Sequence, residues 1–350
     1  MGSCSRWLAL TVLCLALLPE ARGGRHIPPR DSDIRAAPVS EGVSRKRARL
    51  VEEYAAWVEQ EEGLDAAAVA RSDLPTFSQL VRAIGWSFFE NGRAQGEYRE
   101  MLLGLRDEMP WCSGALQPGW RVVLRWHQLE PTVPHAPLPL TVLRACLTIC
   151  GVWRWGRVAL SLWICYFALL RPGECCALLR SDVLLPSEHE HPQSGILLRI
   201  SSPKRRVGGA RCEYARVDLE NICPLFLSML ALLRPGDRIW PGSPQALTRR
   251  FRKVLQAMQL DPRQFSLASL RTGGATHHFS VFGEDVMRLA WRGRWRDIRT
   301  LPHYIQELVA SRIRLAWPSR ARVIVDCLHA LTDDVLEEWA VEFGSGELGA

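Results

Sequence analysis

Five side chains with chemistry to offer stand along the second half of the chain: Arg171, Lys204, Arg271, Trp295 and Tyr304. Arg171 opens the box Arg171-Pro172-Gly173-Glu174, directly after an apolar run, and Lys204 lies in the polar turn Pro203 to Arg211. Arg271 sits in Ser269-Leu270-Arg271-Thr272-Gly273-Gly274, which opens a helix with Ser269 as its expected cap. Gly293-Arg294-Trp295 then precedes Tyr304, nine residues after the tryptophan. Guanidiniums present planar, paired donors that match phosphate oxygens. A lysine ammonium can give up its proton where an arginine keeps it. An indole N–H donates, and a tyrosine oxygen can act as a nucleophile. Lysine is scarce, since 41 of the 44 basic residues are Arg and only Lys46, Lys204 and Lys253 are not. A lysine in that turn therefore stands out.

The elements that position these groups belong to an ordinary globular chain. It has 350 residues, 47% of them apolar and 23% charged, which excludes wholesale disorder, a collagen and a disulfide-knot scaffold. The length predicts two domains. The formal charge of +7 is weak evidence by itself, but residues 196–320 hold 22 basic against 9 acidic side chains, a net of +13. The last thirty residues carry one Arg against seven acids. Such clustering points to a polyanion, nucleic acid above all.

Residues 1–23 resemble a secretory signal peptide, with an apolar run from Trp7 to Leu18 and a small-x-small site at Ala21-Arg22-Gly23. The eleven cysteines speak against secretion. Their number is odd, Cys175 and Cys176 adjoin, and Cys146, Cys150 and Cys165 fall inside apolar helical patterns, as buried thiols in a reducing compartment do. Cys-x-x-Cys and zinc-spaced His pairs are missing, so no metal is expected. The uncharged run Val158–Leu170 is too short for a bilayer and predicts a core helix.

Residues 24–43 read as a linker rich in Gly, Pro, Arg and Ser. In a first domain of residues 44–130 the periodicity is helical from Arg47 to about Gln128: Leu50, Tyr54, Trp57 and Val58, then Phe77, Leu80, Val81, Ile84 and Phe88, then Met101, Leu102 and Leu105. Four prolines between Pro131 and Pro139 end this domain. The second domain, 137–345, predicts helices near 140–152 and 156–170, a hairpin of 196–201 with 214–219, helices near 224–233, 245–260, 268–280, 283–291 and 297–309, and an amphipathic helix at 332–342. The fold class is thus mainly α with a small β-hairpin. In the helix near 245–260, Leu247, Phe251, Val254 and Met258 turn inward and leave Arg249, Arg250, Arg252 and Lys253 outward, a face suited to a phosphate backbone. Arg205 and Arg206 extend the basic surface beside Lys204.

In order and spacing the boxes resemble the tyrosine recombinase, or phage integrase, family over about residues 137–310, and the helical domain resembles the family's core-binding domain in position and size. The resemblance implies Arg171 and Arg271 as the catalytic arginines, with Glu174 as a structural partner. It implies Lys204 as the hairpin lysine, Trp295 as the His/Trp member and Tyr304 as the nucleophile that forms a 3′-phosphotyrosine. It further implies duplex DNA clamped by the two domains and a tetramer formed through the segment after Tyr304. No cofactor and no small-molecule partner are implied; the setting is DNA-associated, nuclear in a eukaryote, and the origin a mobile element. One position departs: the residue three before Arg271, usually His, is Ala268, which removes a hydrogen-bonding and proton-handling group. His303, His277 or His278 could replace it only if the fold turned them inward. Leu-Leu-Arg-Pro-Gly recurs at Leu232–Gly236, but Arg234 follows Lys204, so chain order selects Arg171.

Other readings stand beside this one. A type IB topoisomerase would share the chemistry without partner sites. A degenerate relic would bind DNA without cutting it, as Ala268 suggests. A secreted protein rests on residues 1–23 alone.

Overall fold

A computed structural model describes residue 39 and residues 41–131, 135–201 and 212–344. The signal-like segment, most of the linker and the turn carrying Lys204, Arg205 and Arg206 lie outside the described residues. The chain divides into two compact units, one up to residue 132 and one from residue 133.

The first unit is helical: α1 (Glu41–Glu62), α2 (Ala66–Ser72), α3 (Leu74–Glu90), α4 (Gln95–Glu108), a 3₁₀ segment Pro110–Leu116, and α5 (Gln117–Leu129). Helix α1 starts three residues inside the stretch read as linker. Asp65 and Asp73 cap α2 and α3 by accepting the backbone N–H groups of Ala67 (2.8 Å) and Thr76 (3.1 Å). The three apolar stripes merge into one core, with Tyr54 edge-on to Phe77 at 6.0 Å and Trp57 at its margin. Arg47 clips α1 to α4 through Glu100 (2.8 Å) and Asp107 (2.7 Å).

In the second unit α6 (Leu140–Val152) and α7 (Gly156–Phe167) form the centre. Every residue of α7 from Val158 to Phe167 is buried, which is why that run carries no charge. Among the described residues no helix is long and apolar enough to cross a membrane. After the short α8 (Pro172–Ala177) come three antiparallel strands, β1 (Val183–Leu184), β2 (Ile196–Ile200) and β3 (Glu213–Val217), with β2 in the middle and Ile196 opposite Val217. The β2–β3 pair matches the expected hairpin; two-residue β1 is too short to leave a pattern in sequence. The helices α9 (Pro224–Ala231), α10 (Pro244–Ala257), α11 (Leu267–Val281), α12 (Val286–Gly293), α13 (Glu307–Leu315), α14 (Ser319–Ala330) and α15 (Thr332–Gly344) follow.

Two local expectations are corrected. The single helix expected at 297–309 is a 3₁₀ turn, Ile298–His303, followed by α13, because Pro302 has no N–H to donate and crowds the preceding turn. The cap of α11 is Ser266 rather than Ser269, whose Oγ instead accepts from the Ser266 backbone N–H (3.0 Å) as the third helical residue does in a capping box.

Leu336 and Trp339 of α15 join Trp163, Phe226 and Phe251 in the main core. A smaller cluster of Leu169, Ala275, Phe282, Leu289, Ala290 and Leu301 carries Trp295 and Tyr304 at its edge.

Candidate phosphate-binding active site

Helix α7 ends in a left-handed turn at Leu169 (φ 52°), and Arg171 is the N-cap of α8. Pro172, with φ preset and no N–H to lose, starts that helix. Glu174 turns back one turn, accepting from the Arg171 backbone N–H (2.9 Å) and from Arg171 Nη1 (2.5 Å). The Arg171 side chain stays 30% exposed while Glu174 is buried beneath it. The repeated hexapeptide leads elsewhere: Arg234 is 88% exposed in a turn with Asp237.

Arg271 lies on α11 and is buried, 3% exposed. Its Nη1 donates to the Leu169 carbonyl, its Nη2 to the Gly293 carbonyl (2.6 Å), and its Nε has no partner among the described residues. A Cβ on Gly274 would stand 2.1 Å from the Tyr166 carbonyl oxygen, so glycine there is what seats α11 against the end of α7. That close approach brings Arg271 to Leu169.

Trp295 folds back over the end of α12, where a Cβ on Gly293 would meet its ring at 1.6 Å. The Arg271 guanidinium lies 4.6 Å from the Trp295 ring centre and 5.7 Å from that of Tyr304, and the two rings are 4.8 Å apart. Tyr304 ends the 3₁₀ turn, and its carbonyl accepts from Thr276 Oγ1 (3.0 Å), so α11 holds both Arg271 and the Tyr304 backbone. Trp295 Nε1 is buried without a partner among the described residues. In this arrangement the tryptophan offers its ring to Arg271.

Two residues that order and spacing do not single out, Arg294 and Glu213, complete the cluster. Arg294, 6% exposed, pairs with Glu174 (Nη2 to Oε2, 2.7 Å) and with Glu213 at the start of β3 (Nε to Oε2, 3.2 Å). Nothing in one sequence separates it from its many arginine neighbours. Arg171 and Arg294 thus share the Glu174 carboxylate, Glu213 takes the Nε of Arg294, and Arg271 bonds to carbonyls rather than to either acid. Burial, and then the charges of Arg294 and Arg171, push Arg271 down from the usual arginine range to about 9, still cationic at neutral pH. Burial would raise the Glu174 carboxyl, but Arg294 and the charge and hydrogen bonds of Arg171 outweigh it and hold it low.

Ala268 lies half-buried on the first turn of α11, and beside it the His135 ring bonds the Oγ of the N-cap Ser266 (3.3 Å). His277 packs against the Tyr166 and Phe167 rings. His278 bonds the Phe167 carbonyl (3.0 Å) and stacks on Phe282, and His303 is exposed. Arg249, Arg250, Arg252 and Lys253 are exposed along α10, and Arg250 stacks on Trp155 at 4.4 Å. Lys204, Arg205 and Arg206 lie outside the described residues. No cluster of metal-ligating side chains occurs among the described residues.

No family model matches the chain, and no curated protein does. Among solved structures it is similar to the XerA recombinase, with 14% identity and a TM-score of 0.38 over 79% of this chain and 92% of that one. It is also similar to the Tn1549 transposon integrase in complex with transposon right end DNA, at 12% identity and TM-score 0.46, and with a circular intermediate DNA, at 11% and 0.47. Each of the latter two covers 76% of this chain and 98% of its own. The structures this chain is similar to are thus those of a recombinase and an integrase.

Proposed function

We propose that the chain breaks and rejoins DNA through Tyr304, in the manner of a tyrosine recombinase or integrase. The carrying observation is the convergence on Arg271: one buried guanidinium contacts the rings of Trp295 and Tyr304, is bonded to Gly293 and Leu169, and lies near enough to Arg171 to feel its charge. In this reading the Tyr304 oxygen attacks a DNA phosphorus, the bond to the 5′-oxygen breaks, and a 3′-phosphotyrosine and a free 5′-hydroxyl result. Arg171 and Arg271 hold the non-bridging oxygens and stabilise the charge that builds in the transition state. Lys204 gives its proton to the leaving 5′-oxygen, a task its titratable ammonium suits. The exposed cations of α10 supply backbone contacts to the duplex.

The test is incubation with nicked suicide DNA followed by denaturing electrophoresis. A covalent adduct is expected for the wild type and none for Tyr304→Phe. An adduct that persists in Tyr304→Phe removes the assignment of the nucleophile. Ala268 favours a second reading, a relic that binds DNA without cutting, and absence of adduct with retained DNA binding would select it.

A further inference from the structure

Arg294 holds an unusual backbone for its type. It is the C-cap of α12, with φ 59° and ψ 39°, a left-handed conformation that glycine or asparagine adopts with less strain. A flexible, charged side chain is also the kind least often buried, yet this one is 6% exposed. Both oddities have the same explanation. The left-handed turn aims the guanidinium inward, between α8 and β3, where it meets Glu174 and Glu213 and its Nη2 shares the Leu169 carbonyl (3.4 Å) with Arg271.

Its neighbours in sequence matter as much. The residue before it supplies the Gly293 carbonyl that receives Arg271 Nη2, and the residue after it is Trp295, whose ring lies on the Arg271 guanidinium. Glu174, the acid that Arg294 grips, is the acid that holds Arg171 by backbone and side chain. Arg294 is therefore bonded at one end to the support of the first arginine and continuous at the other with the support of the second. We propose that Arg294 is a positioning residue: through Glu174 it fixes Arg171 in register with Arg271, so that both guanidiniums face one phosphate.

This inference rests on the reading of Arg171 and Arg271 as a phosphate-binding pair, and the test separates the two. Wild type, Arg294→Gln, Arg294→Lys, Glu174→Gln and the Arg294→Gln/Glu174→Gln double variant are compared for covalent adduct formation on nicked DNA and for binding of orthovanadate as a phosphate mimic. Thermal melting checks that each variant is folded. Expected are a loss of about tenfold or more in adduct rate and vanadate affinity for Arg294→Gln, partial recovery in Arg294→Lys, and no further loss when Arg294→Gln is added to Glu174→Gln. A residue that merely stabilises the turn would give additive losses and follow the melting temperature instead. Additive losses in the double variant, or unchanged vanadate binding in Arg294→Gln, overturn the proposal. If the wild type forms no adduct, the strand-cutting reading fails, while the vanadate arm still decides the role of Arg294. Failure of the wild type to bind vanadate overturns that role too.

Discussion

At the scale of the residue, the site is defined by how little freedom Arg271 has. Two carbonyls fix its terminal nitrogens, two rings flank it, and its buried Nε has no partner among the described residues. Lysine has the charge but cannot satisfy two carbonyls from one nitrogen in that geometry, so Arg271→Lys is not a conservative change. What the cluster lacks is an imidazole on the first turn of α11, one turn before Arg271. Ala268→His would place a donor and acceptor on that turn, at a half-buried position. If the remaining groups are competent, adduct formation should rise by about tenfold or more, a modest share of what a positioned proton-handling group contributes. Equal rates for Ala268→His and wild type would show that the imidazole has no work to do here.

At the scale of the element, α11 is the beam of the site: it carries Arg271, holds Tyr304 through Thr276, and buries His278 about two turns beyond Arg271 on the same face. Burial pushes His278 down to about 4, and its Nε2 is occupied by the Phe167 carbonyl. Because the folded value lies below that of the unfolded chain, the neutral histidine contributes fully above about pH 6.5. As pH falls from there toward 4 the unfolded chain takes up a proton that the fold refuses, so stability falls by on the order of 3 kcal/mol. Denaturant titrations between pH 7 and 4 should show that slope, and His278→Gln should flatten it; an unchanged slope would place the acid sensitivity elsewhere. The sequence revealed the beam but not its fittings. Helical periodicity located α6, α7, α10 and α11 because each buries a wide apolar stripe. It ran 297–309 together because Pro302 breaks a helix without breaking the apolar pattern, and it placed the α11 cap three residues late because Ser266 and Ser269 both suit one end of the same box. Order and spacing single out Arg171, Arg271 and Tyr304, and the fold sets the Arg271 guanidinium beside the Tyr304 ring and within reach of the Arg171 charge. Arg294 and Glu213 are not singled out in this way, since a pairing between residues 81 apart leaves no local trace.

At the scale of the whole molecule, the proposed contact with DNA raises the question of which of the 44 basic side chains would make it. The net charge of +7 cannot say, and even the +13 over residues 196–320 overstates the free charge. Many of those arginines are already engaged within the fold: Arg216 and Arg292 with Asp218, Arg294 with Glu174 and Glu213, Arg314 with Asp326. The row on α10 differs. Arg249, Arg250, Arg252 and Lys253 are exposed, and none pairs with a carboxylate among the described residues, while Leu247, Phe251, Val254 and Leu255 anchor the other face of the helix in the core. A cation held rigidly by its helix and not neutralised by the fold is the kind that displaces counterions from DNA. Replacing all four by alanine should therefore weaken binding to unrelated duplexes alike and lower the slope of log affinity against log salt by about 3 to 4, close to one unit for each phosphate left without its cation. The anchoring stripe is untouched, so the fold should hold, with only the small loss of melting temperature that follows from removing the Arg250 stack on Trp155. Binding measured across a salt series gives the slope directly. A slope that does not change would remove these four charges from the proposed DNA-contacting surface.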